Sequence, residues 1–164
     1  MRIAILTIST AGALGQREDT SGDAAAVWAG SRMVARAIVS DDRVDIVRQL
    51  ISWADDAIAD VVITTGGTGL SEHDITPEAT RAVIEREVPG VAERIRFVTG
   101  QGFPRAALGR GIAGTRAKTL IVNLPGSTRG VTESLAAIDD ILGHAVAILR
   151  GEATDHSAAT GAAR

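Results

Sequence analysis

The sequence contains no cysteine, and its only aromatic residues are Trp28, Trp53, Phe97 and Phe103. The first lack excludes disulfide frameworks, thiolate metal sites and cysteine nucleophiles, and leaves no argument for an oxidising compartment. The second, together with a formal charge of -3 and no basic block, removes both the stacking platforms and the electrostatic footprint of a nucleic-acid binder. No apolar run is long enough to span a membrane. The first, Ile3 to Ile8, begins right after Met1 and Arg2 and lacks the charged head and cleavage region of a signal peptide. The expectation is a cytoplasmic protein without nucleic-acid or membrane partners. His73, His144 and His156 share no metal-ligand spacing, and no serine sits in a G-x-S-x-G elbow, so neither a zinc site nor a catalytic triad is indicated.

What is abundant is Ala, Val, Ile and Leu, which supply nearly all of the 45% hydrophobic share and suit the core of a buried parallel sheet. Strands are expected at Arg2–Ser9, Val34–Val39, Val61–Thr64 and Thr119–Leu124. Helices are expected at Asp23–Ala29, with cap candidates in Asp19-Thr20-Ser21-Gly22, and at Arg43–Ala57, capped by Asp41 or Asp42. A further helix starts at Thr76-Pro77-Glu78 and continues through Thr80–Arg86, with the Thr76 hydroxyl as cap and Pro77 in the first turn. Val91–Thr99 and the long amphipathic Thr128–Leu149 complete the helices. Thr10–Arg17 reads as loop, and Pro104–Gly114 as a short helix followed by an edge strand. Successive β-α-β units predict an α/β fold with a mostly parallel sheet. One domain over residues 1–150 and a flexible tail over 151–164 are the expected organisation.

Two glycine-bearing turns leave the C-terminal ends of strands, where open α/β sheets bind ligands. Thr65-Gly66-Gly67-Thr68-Gly69 offers N–H groups free of Cβ obstruction, together with the Thr65 and Thr68 hydroxyls, as a nest for phosphate. The same glycines also suit a plain tight turn, and from pattern alone both readings stand. Pro125-Gly126-Ser127-Thr128-Arg129 repeats the arrangement before a long helix whose N-terminus favours anions, although ordinary capping explains it too. Asp74 follows the first turn and Asp41 a neighbouring strand. Each is placed to reach a cation on bound phosphates, although from pattern alone a helix cap at Asp41 and a surface turn at Asp74 are the preferred readings. Arg116, Lys118 and Arg129 are candidate phosphate partners or solvated charges. A literal G-x-G-x-x-G at Gly109, Gly111 and Gly114 lacks the preceding strand and following helix of a dinucleotide fingerprint.

The combination of Thr65-Gly66-Gly67-Thr68-Gly69, Asp74-Ile75-Thr76-Pro77-Glu78-Ala79 and Asn123-Leu124-Pro125-Gly126-Ser127 resembles the molybdopterin-binding family of molybdenum-cofactor biosynthesis proteins. This MoaB and Mog group includes molybdopterin adenylyltransferases and the matching domain of gephyrin. The resemblance runs from Ile3 through the last helix. It implies a three-layer α/β/α domain with a partly mixed sheet, usually a homotrimer, that binds molybdopterin and ATP as substrates and works beside other proteins of the pathway. It further implies that Asp41 and Asp74 are the acids supporting magnesium-dependent adenylyl transfer. Gly66, Gly67, Thr68 and Gly69, preceded by Thr65, match the loop at the nucleotide phosphates, and Pro125, Gly126 and Ser127 line the same site. Three departures stand out: Thr10 where an acid is common, Gly109 for a frequent serine and Thr128 for a frequent proline. Two alternatives are a molybdopterin carrier or scaffold that does not use ATP, and a general nucleotide-binding module.

Overall fold

A computed structural model describes residues 1–152, so the part of the expected tail beyond Glu152 lies outside the described residues. Strands β1 (Ile3–Ile8), β3 (Val61–Thr65) and β6 (Thr119–Leu124) are buried along their whole length, as strands covered on both faces must be. β2 (Met33–Val39) is only partly covered because it forms one edge of the sheet. With β4 (Arg86–Glu87) and β5 (Ala113–Arg116), the order is β2-β1-β3-β6-β5-β4. The first four strands are parallel, and β5 and β4 join antiparallel.

Alternation along each strand divides its side chains between two cores. On one face, Ile3, Ile5, Ile63 and Val122 pack with residues of α2 (Thr20–Ala29), α5 (Pro89–Gly102) and α6 (Thr128–Arg150), among them Ala25, Val91, Ile95, Leu135, Ile138 and Leu142. On the other, Ala4, Leu6, Val62 and Ile121 meet Ile46, Leu50 and Trp53 of α3 (Arg43–Asp55) and Ala79 of α4 (Thr76–Arg81). Each fully buried Leu or Ile contributes about 1.5–3 kcal/mol, and the result is the three-layer α/β/α arrangement with a mostly parallel, partly mixed sheet. No helix among the described residues is long and apolar enough to cross a membrane.

Local chemistry explains where the elements depart from expectation. Thr10–Arg17 is not all loop: α1 (Thr10–Ala13) forms because the Ser9 hydroxyl accepts the Gly12 N–H at 3.1 Å. Asp19 caps α2 and Asp42 caps α3. Helix α4 stops at Arg81 instead of running to Arg86, because the N–H groups of Glu85 and Val88 donate to Thr115 and Ala113 and draw the chain into β4. α5 is longer than expected at both ends. Gly114 lies inside β5 and Gly109 closes a 3-10 turn over Pro104–Leu108, which removes the dinucleotide reading of that motif.

Asp60, just before β3, ties the far end of the sheet together. It accepts the Arg2 N–H at 2.6 Å, pairs with the Arg2 guanidinium at 3.0 Å and pairs with Arg150, the last residue of α6, at 2.8 Å. Burial pushes this carboxyl upward, but hydrogen bonds from the Arg2 side chain and N–H and from Arg150 outweigh it and lower the pKa from 3.8 to about 2. A carboxylate depressed by folding stabilises the fold above its unfolded pKa, and that contribution disappears as the pH falls through the folded value. Asp60→Asn is expected to cost about 2 kcal/mol at pH 7. In urea titrations across the acid range, its deficit against the parent chain should shrink below the ordinary carboxylate pKa and close near pH 2.

Candidate functional site

At the C-terminal edge of the parallel strands, β3 runs into Gly66-Gly67-Thr68-Gly69 and β6 into Pro125-Gly126-Ser127. Gly66 and Gly67 have φ of 94° and 63°, a region L side chains avoid. A Cβ at Gly66 would also run into the Ile8 carbonyl oxygen, and one at Gly67 into the Thr76 hydroxyl. The turn leaves the N–H groups of Gly67, Thr68 and Gly69, and the Thr68 hydroxyl, without a partner among the described residues. These are the donors an anion nest requires. The Thr65 hydroxyl is not one of them: the residue is fully buried and its Oγ1 lies 3.0 Å from Ser21 Oγ, so it fastens β3 to α2.

The return of the loop is held from two sides. Thr76, expected as a helix cap, instead donates its hydroxyl to the Gly66 carbonyl at 2.9 Å and its N–H to Gly67 at 3.0 Å, and Ile75 precedes the helix. Arg110 donates its N–H to Thr68 at 2.9 Å and its Nε to Gly69 at 2.7 Å, while its guanidinium reaches the Asp74 carbonyl and the Glu78 carboxylate. Burial raises the Glu78 carboxyl, but the Arg110 hydrogen bond and charge hold it below its ordinary value. Asp74 Oδ2 accepts the Ser71 N–H at 3.0 Å. Arg110 is absent from the sequence-derived candidates, and its only local signal was a charge between two glycines, Gly109 and Gly111, in a stretch without periodicity.

These turns border a cavity of about 660 Å³, walled also by α5, the Pro104–Gly111 segment and the start of α6. Gly67, Thr68, Gly69, Asp74, Pro125, Gly126 and Ser127 all line it. Ser127 caps α6 by accepting the Gly130 N–H at 3.1 Å, and the first N–H groups of that helix have no intrahelical acceptor. Gly66 and Thr65 lie behind the wall. Asp41 is off the wall as well: it follows β2, two strands from β3 along the same sheet edge, on the order of 10 Å away at ordinary strand spacing. Its Oδ2 accepts the N–H and the hydroxyl of Thr10, both at 2.8 Å. Arg129 lines the cavity, paired to Glu133 at 2.7 Å. Arg116, the last residue of β5, and Lys118 in the β5–β6 turn sit at the opposite sheet edge, Arg116 bound to Asp55 at 2.7 Å.

No group of three or more His, Cys, Asp or Glu side chains among the described residues could hold a metal. Asp74 and Asp41 each use only Oδ2 toward the fold. A free carboxylate oxygen on each suits a hard cation such as magnesium, which takes one or two carboxylates and completes its shell with substrate phosphates and water.

Residues 4–144 match the family described as "Probable molybdopterin binding domain". The chain is 36% identical over 156 residues to the molybdopterin adenylyltransferase of Helicobacter pylori strain J99, covering 92% of this chain and 89% of that protein. It is 41% identical over 132 residues to molybdenum cofactor biosynthesis protein B of Escherichia coli K12, covering 78% and 76%. Among solved structures, the molybdopterin biosynthesis enzyme MoaB from Thermus thermophilus superposes with a TM-score of 0.86 at 44% identity, covering 92% of this chain and 96% of that one.

Two substitutions separate the roles of backbone and fastener. Gly66→Ala should destabilise by about 2 kcal/mol or more in chemical denaturation, since it adds left-handed strain to a backbone collision. Arg110→Met should cost about 1–2 kcal/mol and speed amide exchange over residues 71–76 with the sheet unaffected, as hydrogen-exchange mass spectrometry would read it.

Proposed function

The chain belongs to this molybdopterin-binding domain family, and from that premise we propose that it is a molybdopterin adenylyltransferase of molybdenum cofactor biosynthesis, with molybdopterin and ATP as its substrates. The observation that carries the reading is the single cavity bordered by both glycine turns, by Asp74 and by the N-terminus of α6. A terminal phosphate oxygen of molybdopterin attacks the α-phosphorus of ATP. The new P–O bond forms as the bond from the α-phosphorus to the bridging oxygen breaks, and pyrophosphate leaves with that electron pair.

The nucleophile is already ionised at neutral pH, so this chain needs no general base, in keeping with a cavity wall that contains no histidine. The work left to the protein is alignment and charge neutralisation. The N–H groups of Gly67, Thr68 and Gly69 and the Thr68 hydroxyl bind phosphate oxygens, and Ser127 with the first turn of α6 offers a second set of donors. Asp74 and Asp41 are the residues that would hold magnesium, whose charge offsets that of the phosphates when bound. Leu70, Phe103 and Leu108 on the wall give apolar surface for a ring.

A second reading, a molybdopterin carrier that does not use ATP, draws on the distance of Asp41 from the cavity wall. The two separate in one assay: molybdopterin, ATP and magnesium with the purified protein should release pyrophosphate in step with adenylylated molybdopterin, whereas a carrier releases none. Asp74→Asn should abolish that release while leaving the fold and most molybdopterin binding intact, and undiminished turnover in this variant would remove Asp74 from the reaction. The resemblance also carries a homotrimer. Light scattering of the purified protein should give the mass of three chains.

A further inference from the structure

Most polar side chains on the cavity wall are engaged within the fold. Asn123 donates its amide to the hydroxyls of Thr64 and Thr80 at 3.0 and 2.9 Å and accepts the Ile112 N–H at 3.3 Å. The Thr99 hydroxyl donates to Ile95 at 2.7 Å, and Arg96 donates to the Gly111 carbonyl at 2.9 Å. Ser134 differs. It lines the cavity, is 1% exposed, and its hydroxyl is the one buried side-chain polar atom among the described residues with no hydrogen-bond partner. A helical serine ordinarily bonds back to the carbonyl four residues earlier, here Gly130, and this one does not. An orphaned hydroxyl in a native interior calls for a physical explanation.

Its position suggests one. Ser134 stands seven residues after Ser127 on α6, close to two full turns, so the two share a face about 10 Å apart along the axis. At the Ser127 end lie the phosphate-compatible donors. The wall also includes Ala92 and Ile95 of α5, both buried and apolar. A largely apolar wall with an unengaged hydroxyl about two helical turns from an anion site fits a flat heterocycle that carries a phosphate on a side arm.

We propose that Ser134 determines ligand specificity: its hydroxyl turns about the Cα–Cβ bond to hydrogen-bond the polar edge of the pterin, while the phosphate of the same molecule lies at the start of α6. The assignment rests on the molybdopterin reading above and adds which part of the ligand is read and by which atom. Rotation breaks no existing hydrogen bond within the protein, so the new bond replaces only the one the ring edge made to water. A ring whose edge cannot pair would leave the hydroxyl orphaned as before, and that difference is what discriminates.

The test is anaerobic titration of the full chain with metal-free molybdopterin, and separately with ATP and magnesium, for the parent protein, Ser134→Ala and Ser134→Cys, alongside thermal unfolding without ligand. Removing an unpaired hydroxyl relieves the free protein, so Ser134→Ala should unfold at the same temperature or higher. Its Kd for molybdopterin should nevertheless rise about 3- to 10-fold, the value of one hydrogen bond, with the Kd for ATP unchanged. Ser134→Cys keeps the shape with a weaker donor and should fall between the other two. Equal molybdopterin affinity in all three proteins overturns the assignment and leaves the functional reading standing. An equal loss for molybdopterin and ATP, or a lower unfolding temperature in Ser134→Ala, overturns it in favour of a packing role. Failure of the parent protein to bind molybdopterin at all refutes the functional reading, and the assignment with it.

Discussion

The geometry of the functional edge depends on how closely backbone packs around Gly66. A Cβ there would strike the Ile8 carbonyl at the end of β1. On the other side its N–H donates to the Leu124 carbonyl at 3.3 Å, and the site a Gly126 Cβ would take is 3.2 Å from the Gly66 Cα. Three adjacent strand ends converge on one residue that has no side chain. Any Cβ would push β1, β3 and β6 apart at the point where both turns face the cavity, and the two sets of N–H donors would no longer border one space.

The chain carries a net negative charge and yet presents an anion-compatible cavity, and the distribution of its arginines shows why. Arg2 and Arg150 hold Asp60, Arg36 holds Asp19, Arg116 holds Asp55 and Arg110 holds Glu78. Many cations are spent on the frame, while Arg96, Arg105 and Arg129 line the cavity, so attraction for phosphate is shared between those guanidinium groups, the backbone N–H groups and a helix end. The backbone donors are fixed by the fold and need no side-chain ordering when a ligand arrives. The two acids are held in the same manner, Asp74 by the Ser71 N–H and Asp41 by Thr10. With one inside the cavity and the other two strands away, a ligand that engages both must extend along the sheet edge.

Much of the frame was legible because its signals are local. The fully apolar runs of β1, β3 and β6, the helical spacing in α3 and α6, and the caps of α2 and α3 each depend on residues within a few positions of one another, and all appear close to where those signals put them. The two glycine turns were legible for the same reason. β4 was not: Arg86 and Glu87 have no strand pattern, and they become one only because Thr115 and Ala113, more than twenty residues on, accept their neighbours' N–H groups.

The sequence by itself determined the α/β class, the ends of the buried strands and the identity of the turns, since periodicity, capping and glycine's conformational freedom act over a few residues. Only the tertiary structure decided which of those groups face a common space. It turned the Thr65 hydroxyl toward Ser21 and the Thr76 hydroxyl toward Gly66, made Arg110 the fastener of the loop, set Asp41 two strands from the cavity and left Ser134 without a partner. Each of those outcomes rests on contacts between residues far apart in the chain, or on the failure to find one, and no local pattern carries that information.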